Sequence, residues 1–146
     1  MTEQPAEYKF DEIVLGAKAQ FTVQIDESTV NEFARISGDY NPLHIDEKYA
    51  ATTKFGKKIC HGILLASFFS RLLGMHLPGK NSLYFSQTLD FQRPCFIGDK
   101  VTIEGEVIAK SQSTRMITIK TTAYNQLGKC IVDGIAKVMV LESTSK

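Results

Sequence analysis

The chain has almost no net charge: a formal +1 over 146 residues, with 23% charged. It therefore lacks the broad basic face that a nucleic-acid backbone demands. Cysteine is also scarce. Cys60, Cys95 and Cys130 are an odd, widely spaced set without a C-x-x-C pair, which favours reduced thiols in a cytosolic protein over a disulfide framework and gives no support to metal binding. No uncharged apolar run of roughly 18 residues occurs, and the opening MTEQPAEYKFDEI has no basic start followed by an apolar stretch. Repeats, linkers and low-complexity segments are missing too. The expectation is a cytoplasmic protein without nucleic-acid or membrane partners, folded as one domain over residues 1–146 with a polar leader over 1–16.

What is present falls into two halves. Ala19 to Asp26 alternates apolar and polar residues at Phe21, Val23 and Ile25, the period of a half-buried strand. Asp26 or Ser28 can cap a helix over Glu27–Ser37, whose Val30, Phe33 and Ala34 fall at helical spacing and which Gly38 ends. Asp46 can cap a short helix reaching Thr53. From Gly62 to Met75 the sequence GILLASFFSRLLGM is apolar on nearly every side, as expected of a central helix enclosed by protein. Beyond Pro78-Gly79 the period changes to two. Segments near Ser82–Phe91, Lys100–Lys110, Met116–Tyr124 and Ile131–Val140 read as four strands of an antiparallel meander, joined by hairpins at Gly98-Asp99, Ser111–Thr114 and Asn125–Gly128. The fold class is α+β, with a sheet covered on one face by the long helix.

Between these halves lies Asp39-Tyr40-Asn41-Pro42-Leu43-His44. An extended chain would hold Asp39 and His44 up to about 17 Å apart. Pro42 fixes its own φ and biases Asn41 away from the helical region, while Asn41 can bond the local backbone, so the segment turns back and the carboxylate and imidazole can share one water. The same residues also fit a turn in which Asp39 and Asn41 only satisfy backbone amides and His44 packs at an element end. His61-Gly62 opens the long helix, whose first turn leaves N–H donors free to hold a developing oxyanion. Glycine there admits close approach of another atom, and it equally suits tight chain packing. Gly62, Ala66, Ser70 and Leu73 follow at steps of four, four and three and share a face. Ser70 can bond Asp39 or a substrate, or a carbonyl of its own helix, as Ser67 can; Leu73 can wall an apolar tail. His61 is given no chemical role beyond steadying its loop.

The stretch SGDYNPLHIDEKYAATTKFGKKICHGILLASFFSRLLG, with FQRPCFIGDKV after it, resembles the MaoC-like hydratases, and among them the short bacterial (R)-specific enoyl-CoA hydratases. The matching pattern is Asp-x-Asn-Pro-x-His at Asp39, Asn41, Pro42 and His44, then His-Gly at His61 and Gly62, then Phe-x-x-Pro-x-x-x-Gly-Asp at Phe91, Pro94, Gly98 and Asp99. The similarity runs from about Ala17 to Val140. It implies a hot-dog fold, an antiparallel sheet wrapped around a long central helix, with an overhanging segment carrying the Asp and the His. It also implies a homodimer with the site near the subunit boundary.

The reaction implied is reversible syn hydration of a trans-2-enoyl-CoA to an (R)-3-hydroxyacyl-CoA, in fatty-acid breakdown or polyhydroxyalkanoate monomer supply. Asp39 and His44 would activate water, Gly62 N–H would polarise the thioester oxygen, Ser70 would support Asp39, and Asn41 and Leu73 would contact substrate. No metal or other cofactor is expected, CoA being part of the substrate. Lys54, Lys57, Lys58, Arg93 and Lys100 are available to CoA phosphates, but exposed lysines are ordinary surface and none is assigned. Two alternatives keep the fold and change the chemistry, namely an acyl-CoA thioesterase and an acyl-thioester binding module without catalysis.

Overall fold

A computed structural model describes residues 3–142. A 3₁₀ turn (Phe10–Glu12) precedes β1 (Lys18–Gln24), α1 (Glu27–Ser37), two short helices, α2 (Pro42–Ile45) and α3 (Glu47–Ala51), and then α4 (Gly62–Arg71). A π-helical segment, Leu72–His76, continues α4. The strands β2 (Ser82–Gln87), β3 (Asp90–Phe91), β4 (Lys100–Ser111), β5 (Met116–Tyr124) and β6 (Cys130–Val140) complete the chain. The result is an antiparallel sheet with a central helix against it, the arrangement that the resemblance implies.

The ends of α1 follow from local chemistry. Asp26 accepts the Thr29 N–H at 2.8 Å, and Gly38 closes the helix at φ 78° with its N–H on the Ala34 carbonyl. Val30 and Ala34 face inward, and Asp46 caps α3 through the Tyr49 N–H. On α4, Leu64, Leu65 and Phe69 are buried in a cluster with Ile25, Val101, Ile103, Ala123, Ile131 and Val132. Truncating a buried aromatic such as Phe69 to alanine costs about 3–5 kcal/mol.

Five expectations about the fold need correction. The strand order is β1-β4-β5-β6-β2, with β3 also on β6, so only β4, β5 and β6 form a meander. Gly98-Asp99 is no hairpin: the chain crosses from one side of the sheet to the other, and Gly98 N–H ends on the Ile25 carbonyl at 2.6 Å beside β1. The run Ser82–Phe91 is two strands, because the chain between them presses on β6; a Cβ at Gly134 would lie 1.8 Å from the Thr88 carbonyl oxygen, so only glycine fits. The long helix is α-helical only to Arg71. A π turn bonds i to i+5, as Leu77 N–H does to the Leu72 carbonyl, and it replaces the α-helical pattern over Leu72–His76.

The leader, finally, is not merely polar. Phe10 and Ile13 are both buried with Leu73, Leu77, Val107, Ile117, Ile119 and Val138 in a second cluster, and Ala6 bonds the backbone of Met75 and Lys80. Residues 1 and 2 lie outside the described part.

Candidate active site

The segment from α1 to α4 delivers the motif residues to one place. Past Gly38, the Asp39 carboxylate accepts the Asn41 N–H at 3.1 Å, Asn41 accepts the Leu43 N–H at 3.0 Å, and Pro42 takes the first position of α2. One further turn brings round His44. Its Nδ1 lies 2.7 Å from the Ile59 carbonyl oxygen. A carbonyl only accepts, so Nδ1 carries the proton and Nε2 is left with a lone pair.

Asp39, His44 and His61 each bring a donor atom within 4.8 Å of the others. The Asp39 side chain is half-exposed and His44 half-buried, whereas His61 is enclosed. Such a trio has the composition of a metal site. Its geometry does not suit one: the His44 and His61 rings are stacked, centroids 4.0 Å apart and planes at 30°. An imidazole binds a metal along a lone pair in its own plane, so these two rings do not converge on a common ion.

Beside His44 opens a cavity of about 520 Å³. Gly62, Ile63, Phe91, Pro94, Ile131 and Val132 give it an apolar wall, and Lys54 and Arg93 are the charged residues on its lining. Gly62 is the first residue of α4, and among the described residues its N–H has no acceptor. A Cβ there would lie 2.6 Å from the Phe91 ring, so close packing and an open N–H are both served by glycine. Cys60 and Cys95 lie side by side in the same wall, joined by the Cys60 N–H on the Cys95 carbonyl at 2.7 Å. A hydrogen bond from Cys60, then burial, pushes the Cys95 thiol far up, so it stays protonated.

The structure thus brings Asp39, His44 and Gly62 together. Asn41 is a helix cap on the surface, off the cavity. Leu73 is a core residue of the second cluster and lines no part of the cavity. Ser70 is exposed and makes no hydrogen bond to Asp39; it lies two helical turns from Gly62, about 12 Å by the rise of α4. Sequence reasoning gave His61 no role beyond steadying its loop, whereas the structure shows it donating from Nε2 to the Asp39 carbonyl at 2.9 Å. A clue was its place directly before the glycine of a buried helix, where it makes no capping bond. Phe91 entered that reasoning only as a motif position, because its tie to Gly62 spans distant segments.

The chain is similar to known proteins over most of its length. Residues 12–129 match the MaoC like domain. Over 124 residues the chain is 46% identical to an (R)-specific enoyl-CoA hydratase of Aeromonas caviae, covering 85% of this chain and 92% of that protein. An (R)-specific enoyl-CoA hydratase of Rhodospirillum rubrum is 40% identical, with 90% of each chain covered. The solved structure of an unliganded R-hydratase from Pseudomonas aeruginosa superposes with a TM-score of 0.88 at 40% identity, over 92% of this chain and 86% of that one. With the family match running over residues 12–129 and 46% identity to a relative across 85% of the chain, the chain belongs to the MaoC-like domain family.

Proposed function

We propose that the protein hydrates trans-2-enoyl-CoA to (R)-3-hydroxyacyl-CoA and catalyses the reverse dehydration. The observation that carries this reading is the approach of the Asp39 carboxylate and His44 to within 4.8 Å, beside a cavity that His44 and Gly62 both line. One water at about 2.8 Å from each group bridges that separation. The unprotonated Nε2 of His44 takes a proton from this water while Asp39 orients it. The oxygen attacks C3, the electron pair of the double bond moves through C2 towards the thioester, and Gly62 N–H steadies the charge on its oxygen. The proton held by the pair then passes to C2 from the same side, giving net syn addition. Positioned acid–base groups contribute about 10² to 10⁴ in rate and an oxyanion donor about 10² to 10³. The steps call on no metal or redox group.

The basic lining at Lys54 and Arg93 suits the phosphates of a CoA or phosphopantetheine carrier. A homodimer completes the reading. Leu83 and Phe85 on the edge strand β2, Phe91 on β3 and Ile63 on α4 are each about half-exposed, an apolar surface at an unpaired sheet edge. Pairing two such edges about a two-fold axis covers them.

The test is loss of the conjugated-thioester absorbance when purified protein meets crotonyl-CoA, followed by chiral analysis of the product. We expect rapid loss and (R)-3-hydroxybutyryl-CoA. An S product, or no loss at all, removes the assignment.

A further inference from the structure

Hydration as derived leaves His61 idle, although it is the most enclosed polar group of the site at 3% exposure. Its Nε2 faces the carbonyl oxygen of Asp39 at 2.9 Å, and since that oxygen only accepts, Nε2 carries the proton. One ring face rests on His44 at 4.0 Å, and Phe33 of α1 packs against the ring, tilted at 4.9 Å. The remaining nitrogen, Nδ1, is buried with no hydrogen-bond partner among the described residues. That is a cost a space-filling phenylalanine or leucine would avoid, so the N–H and the ring together must serve something.

What they serve is the placement of the pair. The other hydrogen bonds of Asp39, to Ser37 and Asn41, are exposed and reach no farther than two residues along the chain. The bond to His61 ties Asp39 to a residue 22 positions away, at the start of the same helix that presents Gly62. We infer that His61 is a positioning residue for hydration, clamping Asp39 by its carbonyl and seating His44 by ring stacking so that carboxylate, Nε2 and Gly62 N–H keep a common geometry. The inference rests on the hydration reading above.

Two variants separate the contributions. His61→Phe keeps a ring against His44 and removes the donor; His61→Gln keeps a donor at the same reach and removes the ring. With crotonyl-CoA, His61→Phe should lower kcat roughly 10- to 100-fold, the effect of a misplaced catalytic group, while KM stays within about twofold. His61→Gln should recover part of that loss. Wild-type kcat in His61→Phe, a change confined to KM, or a Gln variant no better than Phe would overturn the inference.

Nitrogen-15 histidine NMR of the unaltered protein gives a readout that needs no variant to fold. It should show the Nε2–H tautomer at His61 and the Nδ1–H tautomer at His44; an Nδ1–H tautomer at His61 would also overturn the inference. A wild-type protein inert towards crotonyl-CoA would instead remove the hydration reading, leaving the tautomer alone to decide whether His61 holds Asp39.

Discussion

The imidazole of His61 lies face to face with that of His44, ring centroids 4.0 Å apart, and so fastens the start of α4 to the short helix α2. The carboxylate of Asp39 has a lighter structural duty. Its side chain is half-exposed, its Oδ2 lies 3.9 Å from His61 Nε2, and among the described residues its one hydrogen bond, from the Asn41 N–H, is one that an amide oxygen accepts equally well. Asp39→Asn is therefore expected to leave the melting temperature nearly unchanged while hydration falls by about 10² to 10⁴. His44→Gln should lose activity on the same scale and some stability too, because the ring contact and the bond to Ile59 go together. Calorimetry alongside the crotonyl-CoA assay separates the two effects, and near-wild-type turnover in either variant would contradict the roles given to them.

Gly62 offers a sharper test, because its N–H and its missing Cβ can be varied independently. An alanine at 62 meets the Phe91 ring at 2.6 Å and drives it into the cavity that it lines, so Gly62→Ala should lose about tenfold or more of kcat/KM. Adding Phe91→Ala makes room and should restore much of it. In that double-variant background, replacing residue 62 by proline instead keeps a Cβ, suits the first position of a helix and deletes the N–H. The proline form should then fall about 10² to 10³ below the alanine form, as expected for a lost oxyanion donor. Equal rates for the two would show that the Gly62 N–H takes no part.

These residues also mark where the sequence was readable. Asp39 and His44 are joined by a turn whose causes, Asn41 and Pro42, are neighbours in the chain, so their approach follows from local chemistry. The ends of α1 at Asp26 and Gly38 are local in the same way, as are the alternating strands β4, β5 and β6. The pairing of β2 with β6 is not local: any of these strands could edge the sheet by its pattern, and packing decides. The burial of Phe10 and Ile13, the π turn at Leu72–His76 and the bond from His61 to Asp39 are likewise products of tertiary contact, which a periodicity cannot register. Counting along an ideal helix sets Ser70 and Leu73 on the face of Gly62, but Ser70 stands about 12 Å along the rise of α4 from Gly62, and Leu73 packs into the second core cluster.

The thiols in the cavity wall bear on the chemistry, since an enoyl thioester is an electrophile at C3 and a thiolate beside it would add there. The Cys95 thiol, pushed up by the Cys60 hydrogen bond and by burial, stays protonated and inert. Burial and the nearby Asp133 raise the Cys130 thiol as well, but Cys130 is half-exposed. Brief treatment of the native protein with a maleimide, read by peptide mass spectrometry, should label Cys130 and leave Cys60 and Cys95 untouched until denaturant is added. Labelling of Cys95 in the native state as fast as Cys130 would refute this.

Acid should reach the site through α1, whose far end delivers Asp39. The Asp26 carboxylate caps the first turn, taking the Thr29 hydroxyl at 2.7 Å, the Thr29 N–H at 2.8 Å and the Ser28 hydroxyl at 2.9 Å. These bonds, that from the Thr29 hydroxyl foremost, hold its carboxyl below the usual range. With the folded value depressed, its contribution to stability is complete above the unfolded value of about 3.9 and is lost as pH falls through the lower folded one. Asparagine caps as well as aspartate but does not titrate. Asp26→Asn should therefore melt below wild type at neutral pH, and the gap between the two should close as the pH drops below about 4. A gap that stays constant from neutral pH into acid would mean that the capping charge of Asp26 contributes nothing to α1.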